Sequence, residues 1–265
     1  MLVLRNYYLP SFIILLLIMM ESCCYDNLLA SDLDLNPQLT EKMVQNISLN
    51  SGIRIDSLEL KDKSIWKYAI SIPEIDNNSR VPLVIALHWD VEGGGEYEPY
   101  LRCHATPGLE KLNAIIFAPD AGNYNFWDVE NYSLIITLID YAKKYWPIEE
   151  DKIVVTGYSN GGYGAWFFGV NYPFLFSAAI PVGSRIEYDK KSVIPDKKLK
   201  IPSYVIHSKD DSWFIFENIE QRVKELEQKG SDIQLHVVEG LSHTDACAYS
   251  IHLPSAADWL LNEVW

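Results

Sequence analysis

The stretch Lys152-Ile-Val-Val-Thr-Gly-Tyr-Ser-Asn-Gly-Gly-Tyr-Gly-Ala-Trp166 decides how the rest of the chain is read. Ile153 to Thr156 is an apolar, largely β-branched run and predicts a buried strand. Residues 162–171 predict a helix, closed from beyond its end by Pro173. Between them, Gly157-Tyr158-Ser159-Asn160-Gly161 places a serine in a tight bend, with glycine two positions before and two after. At those two positions a side chain would run into neighbouring backbone, so the bend itself demands the glycines. Such a bend lifts Ser159 Oγ clear of the sheet. It also leaves the N–H groups of the helix start, that of Asn160 among them, without intrahelical acceptors.

A glycine-serine-asparagine turn is common by itself. Two downstream positions raise its weight. Residues 201–207 predict a strand that runs into Ser208-Lys-Asp-Asp211, and residues 232–238 predict another that runs into Glu239-Gly-Leu-Ser-His243. A hydroxyl followed in chain order by a carboxylate and an imidazole is a nucleophile–base–orienter set. Asp210 and Asp211 are both candidates for the carboxylate. Neighbours cannot both face one histidine, so one of them is expected in solvent.

Gly157-Tyr-Ser-Asn-Gly-Gly162 resembles the nucleophile elbow of the α/β-hydrolase superfamily. More narrowly, it resembles the branch of polyhydroxyalkanoate depolymerases, feruloyl and acetylxylan esterases and related small carboxylesterases. The resemblance runs from Val81 to the C-terminus. It implies an α/β-hydrolase fold: a mostly parallel central sheet with helices on both faces. It also implies carboxylic-ester hydrolysis through an acyl-enzyme, with no metal or cofactor. The family's His-Gly-x-x-Asp aligns with His207 to Asp211, Ser208 standing for the glycine, and implies Asp211 as the triad acid. Its Gly-x-x-His aligns with Gly240 to His243 and implies His243 as the base. Its His-Gly-x loop aligns with His88-Trp89-Asp90, where the N–H of Trp89 or Asp90 would join that of Asn160 in an oxyanion hole. Trp89 departs from the family's glycine, and its bulk restricts how closely backbone can approach a substrate.

Around these motifs the chain alternates as a layered α/β domain should. Residues 53–72 predict an antiparallel hairpin at the sheet edge, residues 81–88 and 113–119 buried strands, and residues 131–145 a helix stopped by Pro147. Residues 176–182 predict a strand and residues 216–229 an amphipathic helix closed by Gly230. The short segment 183–200 leaves no room for a sizeable lid domain. Tyr158, Trp127 and Trp213 are candidates to line the substrate site. Cys103 and Cys247 are a candidate disulfide pair, since one follows the oxyanion loop and the other follows His243; sequence alone does not give their separation.

The net charge of −14 and pI near 4.8 speak against nucleic acid or anionic polymers as partners. No His or Cys spacing matches a zinc site, and Gly157-x-Ser159 lacks the second glycine of a dinucleotide-binding loop. Residues 1–22 have the apolar centre of a signal peptide, residues 23–52 are expected to be a polar tether, and residues 53–265 the catalytic domain. Met20-Glu-Ser-Cys23 resembles a bacterial lipobox, which makes Cys23 a candidate for lipidation and the chain a membrane-anchored lipoprotein or a secreted protein. The function expected is that of a serine esterase acting on a small or polymeric ester, acylated glycans among them. The alternatives are a serine peptidase or thioesterase on the same fold, or a catalytically silent binding lipoprotein.

Overall fold

The computed structural model describes residues 36, 38–90, 94–186 and 198–265. The expected leader, Cys23, the first part of the tether and most of the segment 183–200 lie outside the described residues. Eight strands form one sheet: β1 (Gly52–Glu59), β2 (Ile65–Ile72), β3 (Val81–Leu87), β4 (Ile115–Pro119), β5 (Ile148–Tyr158), β6 (Ala178–Val182), β7 (Ser203–Ser208) and β8 (Ile233–Val238). Their order is β1-β2-β4-β3-β5-β6-β7-β8. β1 and β2 make the antiparallel hairpin, from Gly52 opposite Ile72 to Glu59 opposite Ile65, and β2 also runs antiparallel to β4. Every other neighbouring pair is parallel.

The inner strands are uninterrupted apolar runs because both of their faces are covered. Every residue of β3, β4, β6 and β7 is buried. On one face Val84, Ala86, Ile116, Val154, Ile180 and Ile206 pack with a helical stretch over 97–112 and with the C-terminal helix Leu253–Trp259. On the other, Val205 and Ile233 join Trp166 of the helix Asn160–Asn171 and Ile219, Val223 and Leu226 of the helix Phe216–Gln228. Val205 and Ile206 are adjacent and point to opposite faces, as strand geometry requires. This is the α/β-hydrolase arrangement expected from the sequence.

The N-terminal boundary is different from expectation. The polar tether is expected through residue 52, but Asn36 already hydrogen-bonds Thr137 and Ser133, and from Gln38 onward the chain packs onto the body. Leu39, Val44 and Ile47 are buried around the short helix Glu41–Gln45. Thr40 caps that helix, and the indole N–H of Trp146 donates to the Val44 carbonyl at 3.3 Å. Three apolar side chains leaving water contribute about 1.5–3 kcal/mol each, enough to outweigh the polar composition between them.

Candidate active site

The bend after β5 has the geometry its glycines imply. Ser159 sits at φ 54°, ψ −114°, outside the comfortable regions for an L-residue, directly before the helix Asn160–Asn171. A Cβ on Gly157 would lie 2.2 Å from the Gly161 carbonyl oxygen, and one on Gly161 would lie 1.9 Å from that of Leu87. Both are impossible contacts, so the two glycines are what allow the turn to close against β3.

His243 reaches this serine from the loop after β8. Its Nε2 lies 2.8 Å from Ser159 Oγ, and its Nδ1 lies 2.8 Å from Oδ2 of Asp211. The carboxylate accepts from Nδ1–H, which leaves the Nε2 lone pair facing the serine hydroxyl. The second carboxylate oxygen, Oδ1, accepts the backbone N–H groups of Trp213 at 2.8 Å and Phe214 at 2.9 Å. Burial opposes the charge on Asp211, but the His243 hydrogen bond and these two amides outweigh it and hold its carboxyl below the ordinary aspartate value. Asp210 turns the other way, is exposed, and accepts the N–H of Gly240 at 2.7 Å. The pair thus divides: Asp211 faces the imidazole and Asp210 ties the loop that carries it.

That loop is held at several points. Tyr158 Oη donates to the His243 carbonyl at 2.7 Å. His104 Nδ1–H donates to the Ala246 carbonyl at 2.7 Å, and a disulfide joins Cys247 to Cys103. Burial lowers His104 to about 4, so it is a neutral strut near neutral pH. The ring of Trp213 stacks on His243 with centroids 4.5 Å apart, and Phe214 meets the same ring edge-on at 4.9 Å. The sequence offers Trp213 as a substrate-lining residue alone; it does not show the packing of Trp213 and Phe214 on the His243 ring or the part His104 plays. No pattern in the chain marks them, because their partners are 29 to 142 positions away.

On the other side of the serine, His88 Nδ1–H donates to the Trp89 carbonyl at 2.6 Å, and Nε2 accepts the Ala121 N–H at 3.1 Å. Both ring nitrogens are engaged by a neutral imidazole, and burial keeps it so by lowering its pKa. Because a peptide is planar, holding the Trp89 carbonyl also fixes the direction of the Asp90 N–H. The Trp89 indole turns inward, edge-on to Tyr100 and Tyr158 at 5.7 and 6.4 Å. The bulk that replaces glycine is thus absorbed by aromatic packing.

A cleft of about 540 Å³ opens over the serine, with Trp89, Asp90, Tyr158, Trp213, His243 and the segment 244–248 around it. Tyr158 and Trp213 line it. Trp127 does not: its ring packs edge-on against Tyr163, 4.7 Å away, because the preceding loop is drawn toward the helix Asn160–Asn171. The Asn160 amide side chain reaches Asn125 at 3.3 Å. Among the described residues, no group of three or more His, Cys, Asp or Glu is arranged to hold a metal ion.

With this geometry established, comparison with known proteins places the chain. Residues 128–260, half of its length, match the model of the dienelactone hydrolase family.

The chain belongs to the dienelactone hydrolase family.

As a member of it, the protein is a hydrolase, and the matched residues include Ser159, Asp211 and His243. The His88-Trp89-Asp90 loop lies outside them. The match does not bear on the narrower resemblance to depolymerases and feruloyl esterases. Solved structures of the same fold include a thermostable esterase, 24% identical over 79% of this chain and 62% of that one, with a TM-score of 0.61. This chain therefore spans under two thirds of that esterase. S-formylglutathione hydrolase from Staphylococcus aureus is 16% identical over 80% of this chain and 100% of its own, TM-score 0.61. Esterase 2 of Thermogutta terrifontis, in a form phosphorylated by paraoxon, is 19% identical over 79% and 94%, TM-score 0.62. No match was found among curated protein sequences.

Proposed function

We propose that this dienelactone hydrolase family member is a serine carboxylic-ester hydrolase acting through Ser159, His243 and Asp211. The observation that carries the reading is the unbroken relay from Ser159 Oγ to His243 Nε2, 2.8 Å, and from His243 Nδ1 to Asp211 Oδ2, 2.8 Å. A serine hydroxyl is a poor nucleophile near neutral pH. As Oγ bonds to the ester carbonyl carbon, its proton passes to His243 Nε2. Asp211 stabilises the imidazolium without taking the proton. The C–O bond to the alcohol then breaks, and the leaving oxygen takes the proton from Nε2. Water repeats the attack on the acyl-serine with His243 again as base, releasing the acid and restoring the serine. The Asn160 N–H, with that of Trp89 or Asp90, would bind the oxyanion, at about 3–4 kcal/mol per donor.

The width of the cleft and the exposed Trp213 at its rim support bulky esters, acylated glycans among them, as substrates. Lipidation at Cys23, and with it attachment to a membrane, belongs to the same proposal and rests on the lipobox resemblance alone. The test is turnover of a short p-nitrophenyl ester, with labelling by a fluorophosphonate. The wild type is expected to turn over and label, and Ser159→Ala to do neither while keeping its circular dichroism. Turnover retained by purified Ser159→Ala would sink the assignment. Thioester and peptide substrates in the same panel separate this reading from a thioesterase or peptidase.

A further inference from the structure

The walls of the cleft carry a charge pattern that bears on the alcohol half of the substrate. Among the described residues that line it, two are carboxylates, Asp90 and Asp245, and none is Lys or Arg. Three aromatic residues, Trp89, Tyr158 and Trp213, line it, and of these the Trp213 ring is the one exposed at the rim. Among the described residues, two basic groups close to these elements do not offset the carboxylates. Arg185, in the segment leaving β6, lies over the Tyr163 ring at 4.3 Å from its centroid and is not part of the lining. His104, beneath the loop, is buried and uncharged near neutral pH.

Asp245 stands in a meaningful place. It follows His243 by two residues, and the cleft wall continues through Ala246, Cys247 and Ala248. In the proposed reaction His243 hands its proton to the departing alcohol, so the alcohol lies on the His243 side, against this wall. The Asp245 carboxylate is held there by the Ser242 N–H at 2.7 Å and the Ser242 hydroxyl at 2.6 Å, both on Oδ2. Those bonds favour its ionised form, the Ser242 hydroxyl first. The chain's net charge of −14 adds a background of the same sign. An exposed aromatic ring beside carboxylates, with no Lys or Arg among the described lining residues, attracts alkylammonium groups and repels anions.

We infer that the cleft selects esters whose alcohol portion carries a positive charge, and discriminates against esters whose alcohol portion is anionic. The inference rests on the esterase reading and narrows it. Because Asp90 and Asp245 are exposed to water, the discrimination is graded and sensitive to salt.

Three acetate esters of similar size test it: those of choline, of 3,3-dimethylbutanol and of 2-hydroxyethanesulfonate. They are cationic, neutral and anionic in the alcohol part. At low ionic strength kcat/KM is expected to be roughly 3–10-fold higher for the choline ester than for the neutral one, and lower still for the sulfonate. The choline-to-neutral ratio is expected to fall toward one in Asp90→Asn/Asp245→Asn and in 0.5 M NaCl. A ratio at or below one in the wild type, or a raised ratio that the double variant leaves unchanged, overturns the inference while leaving the esterase reading intact. Failure to hydrolyse the neutral ester, together with no fluorophosphonate labelling, removes the esterase reading and this inference with it.

Discussion

The indole of Trp213 lies nearly parallel to the imidazole of His243, 4.5 Å between centroids and 20° between planes, while its own backbone N–H holds Asp211 Oδ1. One residue thus supports two members of the relay by different parts of itself. The ring is 64% exposed, so the fold has little stake in it. A cationic imidazolium over an exposed indole gains about 0.5–1 kcal/mol. Trp213→Leu keeps the amide and removes the ring. It is expected to lower kcat/KM for a p-nitrophenyl ester by about 2–5-fold with little change in Tm. Full activity in that variant would show that the stack does not contribute.

Adjacent aspartates offer a matched pair of substitutions. Asp211→Asn removes the charge behind the imidazole and lets the amide favour the wrong tautomer; kcat is expected to fall by about 10³–10⁴. Asp210→Asn leaves the relay intact and weakens one bond to the Gly240 N–H, so its effect should appear as about 1 kcal/mol of stability and less than a tenfold loss of kcat. Steady-state kinetics with urea unfolding on both variants checks this. The assignment is reversed if Asp210→Asn is the more damaged enzyme.

Acid sensitivity should set in well above the carboxylate range. Burial lowers the pKa of His88, His104 and His207, each neutral in the fold, and His104 falls to about 4. The unfolded chain binds protons at these sites from about pH 6.5 downward while the folded chain does not, so stability declines as pH falls through that window. His104 alone accounts for about 3 kcal/mol between pH 6.5 and 4, an order-of-magnitude figure. His104→Phe is expected to be less stable at pH 7.5, because the Ala246 carbonyl loses its donor, yet to lose less on moving to pH 4.5. Urea midpoints at the two pH values measure the difference. A slope equal to that of the wild type would show that His104 is not a source of the acid sensitivity.

The Cys103–Cys247 bridge closes a loop with a sequence separation of 144 and anchors the wall of the cleft. In the chain-entropy account a loop this long contributes about 4–5 kcal/mol by restricting the unfolded chain. Cys103→Ser/Cys247→Ser is expected to lose several kcal/mol of stability. It should also lose part of its kcat, since the histidine loop keeps its ties to Tyr158 and Asp210 but not this one. Guanidinium unfolding and ester turnover of the double variant decide it; an unchanged midpoint would mean that the bridge is energetically idle.

Much of the fold could be read along the chain because its cues are local. The apolar runs of β3 to β7, the glycines around Ser159 and the stops at Pro147, Pro173 and Gly230 each act within a few residues. The edge hairpin was legible for the same reason. The docking of the N-terminal helix Glu41–Gln45 was not, since its apolar residues acquire meaning only against Trp146, 102 positions beyond Val44. Trp127 failed as a lining residue on similar grounds: a loop aromatic has no periodicity to say which neighbour it meets.

For the site, the sequence by itself determined the order of serine, carboxylate and imidazole and the bend that presents the serine. Those depend on backbone sterics and on motif spacing. Only the tertiary structure decided which of Asp210 and Asp211 faces His243, where the Trp89 indole goes, and how Tyr158, His104 and Cys103 brace the loop. Each of these joins segments far apart in the chain, loops at the ends of the parallel strands and the helical stretch over 97–112. Contacts of that kind are set by how the strands stack side by side, which no local pattern of residues encodes.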